Sequence, residues 1–145
     1  MGMLIRVGLC VAGAVLALVF MLTGPIMLDA WQHDRAFGRT FELYSSHLMS
    51  HDLAAAYEMG DTEFKAAVTN AAFQNMHQDM TSKFGQLKRI THTRTIVDGK
   101  GKPMLWIANT DATLEFAGGA VKLRYVFQES DNAWRLHGFR FLTGQ

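Results

Sequence analysis

From Val7 to Leu28 the chain runs through 22 consecutive residues without a charged side chain, bounded by Arg6 and Asp29. At 1.5 Å per residue a helix of that length is about 33 Å long, and the hydrocarbon core of a bilayer is about 30 Å thick. The run has no polar stripe to face water, which argues against a helix packed into a globular core. A cleaved signal peptide needs a shorter apolar region and small residues at the −3 and −1 positions. Here Leu28-Asp29-Ala30 puts leucine at the first of these, and a cut after Gly24 would be followed by Pro25. Cys10, the chain's one cysteine, follows Leu9 near the start of the run, whereas a lipoprotein carries its cysteine at the end. Residues 1–28 are therefore expected to be an uncleaved membrane anchor, with residues 7–28 in lipid. A stop at Gly24-Pro25 would leave Val7 to Thr23, close to the shortest span. Arg6 and the terminal amine nearly balance Arg35 and Arg39 in the positive-inside comparison. The short head before the apolar run resembles an export signal, so the domain is expected outside the cytoplasm, on the periplasmic side.

Beyond the anchor, residues 29–145 carry 13 basic and 13 acidic side chains. A neutral domain lacks the basic surface that gives nucleic-acid binders their affinity, and it lacks a polybasic lipid-binding face. With no cysteine there, disulfide chemistry and a thiol nucleophile are excluded. The length suits one domain, whose chain buries roughly two-thirds of its unfolded surface without metal or disulfide staples.

Helical periodicity comes first. Trp31, Phe37, Phe41, Tyr44 and Leu48 mark an amphipathic helix. Asp52 suits an N-cap for Leu53 to Met59 with Gly60 as the stop, and Asp61 suits one for Thr62 to Val68. Thr69 or Asn70 can cap a longer helix in which Phe73, Met76, Met80 and Phe84 share a face before Gly85. After Gly85 the composition turns to Thr, Ile, Val and aromatics, and turn signals divide it into four strands. These are Leu87 to Val97, Met104 to Phe116, the run after Gly118-Gly119 and Trp134 to Phe141. In the third, Val121, Leu123, Tyr125 and Phe127 alternate with Lys122, Arg124 and Gln128, the mark of a sheet with one buried face. The expected architecture is α+β, with helices covering one face of a curved four-stranded antiparallel sheet.

That order of elements, with Phe41-Glu42-Leu43-Tyr44, Leu53-Ala54-Ala55-Ala56-Tyr57, Glu63-Phe64-Lys65 and the closing Ala133-Trp134-Arg135-Leu136-His137-Gly138-Phe139-Arg140-Phe141, resembles the nuclear transport factor 2-like superfamily over about residues 31 to 142. More narrowly it resembles small envelope-associated bacterial domains of unknown function. The resemblance implies a cone-shaped fold with a pocket between sheet and helix. The superfamily holds isomerases, dehydratases and many non-catalytic binding domains, so the fold leaves function open.

Several residues are candidates for chemistry. His47 and His51 stand four apart, a spacing that suits two metal ligands on one helical face, but no third ligand accompanies them and a solvent-facing pair is the simpler expectation. On the second strand Asp111 shares a face with Leu105, Ile107, Asn109 and Thr113. Pointing inward it would be a general base with His92 or His137 as partner; pointing outward it would pair with a basic neighbour such as Arg124. Tyr44, Tyr57, Trp106, Tyr125 and Trp134, together with Asp111, are the candidates for lining a ligand pocket, although such aromatics more commonly fill a core. No catalytic set, metal site or cofactor is assigned.

Three functions fit. The first is a membrane-tethered, non-catalytic binding or assembly domain with a protein partner or ligand. The second is an isomerase or dehydratase using Asp111 with His92 or His137. The third is a homodimer through the sheet face that carries Lys122, Arg124 and Gln128. A nucleic-acid partner is not expected.

Overall fold

The computed structural model describes residues 28–101 and 104–142. Residues 7–27 of the expected anchor lie outside them, and among the described residues no helix is long and apolar enough to cross a membrane. Contacts divide the chain into two units, Met1–Asp34 and Arg35–Gln145. Of the first, residues 28–34 are described and helical, with His33 Nε2 3.4 Å from Asp29 one turn earlier. Trp31, expected on the apolar face of a helix, is 52% exposed.

All that follows belongs to the second unit. Its first helix, α1, covers residues 35–49. Its Phe37, Phe41, Tyr44 and Leu48, spaced four, three and four apart, are each at most 2% exposed. It ends in a Schellman turn: the Asp52 N–H donates to His47 O at 2.9 Å and the His51 N–H to Leu48 O at 3.2 Å. His51 occupies the left-handed position at φ 61° that glycine normally takes there.

Three capped helices follow. Asp52 accepts from the Ala55 N–H to start α2 (Leu53–Glu58), Asp61 from the Phe64 N–H to start α3 (Thr62–Ala67), and Thr69 from the Ala72 N–H to start α4 (Asn70–Phe84). Each cap satisfies a backbone donor that the helix cannot. Gly85, at φ 81°, ends α4 with its N–H on Thr81 O.

The sheet is an antiparallel meander, in the order β1 (Leu87–Lys100), β2 (Leu105–Phe116), β3 (Gly119–Ser130) and β4 (Ala133–Phe141). β1 continues past Val97 because Asp98, Gly99 and Lys100 pair with Ile107, Trp106 and Leu105. Cross-strand pairing thus overrides the turn-prone composition that places a loop there. Asp131 and Asn132, at φ 52° and 59°, form the two-residue turn between β3 and β4, whose backbone twist matches that of the strands.

Along β2, Ala108, Thr110, Ala112, Leu114 and Phe116 are buried while the residues between them are partly open. On β3, Leu123, Tyr125 and Phe127 turn inward. Phe37, Phe41 and Tyr44 of α1 pack edge-on against Phe127, with ring centroids 5.5 to 6.1 Å apart. A second aromatic cluster joins Tyr57, Phe64 and Phe73 to Phe139 of β4. Rings in such contacts gain about 0.5–1.5 kcal/mol per pair beyond the area they bury. Between these layers, Gly60 bridges to Leu136 in parallel, tying the α2–α3 turn to β4.

Candidate functional site

The aromatic residues proposed for a pocket are instead packed together. Tyr44 and Tyr125 are at most 1% exposed, with ring centroids 5.3 Å apart. Burial pushes both phenols well above their ordinary pKa, and neither hydroxyl makes a hydrogen bond of good geometry. Trp134 is wedged against Phe37, and the Tyr57 hydroxyl donates to Val68 O at 2.9 Å. Trp106 is half-buried against the same core. These side chains fill the layer between helices and sheet because α1 approaches close enough for its own aromatic stripe to interdigitate with theirs.

Asp111 lies on the opposite face of the sheet. Its two oxygens meet Arg124 Nε and an Arg124 terminal nitrogen at 2.5 and 2.7 Å, a bidentate pair, and this hydrogen bonding raises the guanidinium pKa. Beside it, Asn109 and Ile96 complete a shallow recess. Of the two alternatives for Asp111, the outward pairing with Arg124 is the one formed, and the inward one with His92 or His137 is not. His92 is opposite Ala112 of the inner-facing row and its ring meets Phe41 at 4.9 Å. His137 is the extra residue of a β-bulge, since Val126 pairs with Gly138 and Phe127 with Leu136. The bulge aims its imidazole at the carboxylate of Asp61, 2.6 Å away, rather than at Asp111.

His47 and His51 do not share a helical face, because α1 ends at residue 49 and His51 belongs to the turn after it. His47 Nδ1 lies 3.8 Å from Asp52. Among the described residues no group of three or more His, Cys, Asp or Glu is arranged to hold a metal.

The geometry identifies a different site. The end of α1, the start of α2, the middle of α4 and the adjoining ends of β1 and β2 line a half-open cavity of about 410 Å³. Leu48, Leu53, Leu87 and Phe116 give it an apolar body. His51, His77, Gln78, Thr81 and Ser82 line the rest. His77 is 6% exposed, and its Nε2 is sealed from water with no hydrogen-bond partner. Desolvation lowers its pKa to about 4, so the imidazole is neutral at physiological pH. The Thr81 hydroxyl donates to His77 O at 3.0 Å, which leaves its oxygen free to accept.

The sequence matches no protein-family model and no curated protein.

His77 carries a signal that sequence reasoning passed over. It stands four residues after Phe73 and three before Met80, both buried, so a titratable ring falls on the apolar stripe of α4. Such a ring is desolvated unless a partner reaches it. A second recess, lined by Met76, Met80, Phe84, Val121 and Phe141 with Asp79 and Lys83 nearby, is larger at about 570 Å³ and more apolar. It has no orphaned buried polar atom to orient a ligand, and the α4 cavity is the better candidate.

Proposed function

We propose that this chain is a non-catalytic binding domain of the nuclear transport factor 2-like, cone-shaped kind, tethered on the extracytoplasmic side of a membrane by residues 7–28, and that its cavity beside α4 takes a small ligand. The observation that carries the binding reading is a half-open volume of ligand size in which an apolar floor is edged by polar side chains. Binding pockets combine apolar surface with a few placed polar groups, and cavities of about 300–1,000 Å³ are the usual range. The tether rests on the uncharged length of Val7 to Leu28. Against an isomerase or dehydratase, its proposed acid and base lie on opposite faces of the sheet, too separated to act on one substrate.

Two measurements on the full chain test this. Membranes are sedimented with and without detergent, and a reporter fused after Gln145 maps the compartment. Recovery in the supernatant without detergent removes the tether. Native mass spectrometry of the chain released from lipid nanodiscs should show a bound small molecule that is lost in Ser82→Trp, where an indole from an exposed position of α4 fills the cavity mouth. An unchanged spectrum in that variant refutes occupancy of this cavity.

A further inference from the structure

We infer that the cavity beside α4 selects an uncharged amphipathic molecule, one with an apolar body and a hydroxyl or amide head, an inference that rests on the binding reading above. The wall contains no Lys, Arg, Asp or Glu. A carboxylate or phosphate entering it would lose its hydration with no cation to meet it, and an ammonium would find no carboxylate; either burial is strongly unfavourable.

A neutral polar head has partners instead. The Thr81 oxygen can only accept, because its proton is already directed at His77 O. The Gln78 side-chain amide offers both a donor and acceptors, and the Ser82 hydroxyl the same on a smaller scale. The His77 ring is held neutral by its surroundings, so it adds no charge to the wall. Leu48, Leu53, Leu87 and Phe116 meanwhile supply the surface that an apolar body buries. Head and body are thus both specified, and a charged head drawn in beside Thr81 is disfavoured on either sign.

The turn at His51 adds geometry. Its left-handed conformation, uncommon outside glycine, fixes the end of α1 and places the His51 side chain at this cavity. This residue therefore joins the wall through a backbone arrangement that any β-branched side chain would resist.

The test uses three probes that share one rigid apolar body and differ in the polar head: 1-adamantanol, 1-adamantanecarboxylate and 1-adamantanamine, neutral, anionic and cationic at pH 7. Each is titrated calorimetrically into the full chain in lipid nanodiscs, with the heat from empty nanodiscs subtracted. The expected result is saturable binding of the alcohol at one site, roughly tenfold or more tighter than either charged probe, a difference of about 1.4 kcal/mol. Ser82→Trp should abolish it, and Thr81→Val, which removes the accepting oxygen, should weaken the alcohol selectively. Ser82 is exposed, so that variant keeps the test open if Thr81→Val does not fold. Equal or tighter binding of a charged probe, blocked by Ser82→Trp, overturns the ligand class while leaving the binding reading intact. No saturable binding of any of the three overturns both.

Discussion

Asp61 and His137 stand 76 residues apart in the chain and are joined by one carboxylate: Oδ1 accepts from the Phe64 N–H at 2.7 Å to cap α3, and Oδ2 lies 2.6 Å from His137 Nδ1 on β4. The same junction carries backbone hydrogen bonds from Asp61 to Leu136 O and from the Leu136 N–H to Met59 O. Two independent uses of one side chain predict an asymmetry between its variants. Asp61→Ala loses cap and imidazole contact together and should cost about 1–2 kcal/mol. His137→Ala keeps the cap and, at a partly exposed site, should cost well under half of that. Urea denaturation of both variants decides it, and equal costs would show that the cap carries no weight.

Gly60 is buried at the parallel bridge, and a Cβ there would run into the ring of Phe64 and crowd Tyr57 O. Phe64 is itself packed between Tyr57, Phe73 and Phe139, so its ring cannot swing aside. Gly60→Ala should therefore destabilise by about 1–3 kcal/mol, the usual cost of overpacking. The double variant Gly60→Ala with Phe64→Leu should restore part of the loss; failure to do so would place the strain elsewhere.

His51 is held at φ 61° by the two hydrogen bonds of the Schellman turn. Glycine accepts that conformation freely, whereas other residues lose about 1–2 kcal/mol there. His51→Gly should raise the midpoint of thermal unfolding, while His51→Val should lower it. A histidine that proved more stabilising than glycine would mean that its side chain contributes contacts beyond the turn.

The buried imidazole of His77 sets a pH dependence. Its pKa falls from 6.5 when exposed to about 4 in the fold, through desolvation. The unfolded chain then binds a proton that the folded chain refuses, so this contribution to stability is complete above about pH 6.5 and declines as the pH drops toward 4. Across that window the loss should reach roughly 2–3 kcal/mol, with no further change from this group below it. His77→Phe should flatten the profile between those limits in denaturation experiments at several pH values. A wild-type slope that persists in the variant would assign the effect to other groups.

Tyr44 and Tyr125 bring two hydroxyls into the core without well-formed hydrogen bonds. Removing both polar groups while preserving the rings should be close to neutral, whereas leaving one of them alone is less favourable. The double variant Tyr44→Phe with Tyr125→Phe should accordingly be at least as stable as either single variant. A double variant less stable than both singles would reveal that each hydroxyl stabilises the fold independently of the other.

What the sequence discloses is what depends on neighbours along the chain. Asp52, Asp61 and Thr69 can be read as caps because a side-chain oxygen three residues from a backbone donor is a local matter, and Gly85 as a stop for the same reason. The alternation from Val121 to Phe127 likewise fixes which face of β3 is buried. Contacts across the sheet are less visible. Nothing near Asp98 shows that Ile107 will pair with it, and nothing near Asp111 excludes the interior until its row on β2 is known to be the outer one. The cavity was the least legible feature, since its wall gathers Leu48, His77, Leu87 and Phe116 from four elements. Only the histidine on the α4 stripe hinted at it.

Because strand order follows chain order, each strand of the meander finds its partner across a short turn, and the sheet can form hairpin by hairpin without searching distant sequence. The Gly60–Leu136 bridge has no such advantage. It can close only after β4 has added to β3, so docking of the helical turn is expected late in folding, and substitutions there should accelerate unfolding more than they slow folding.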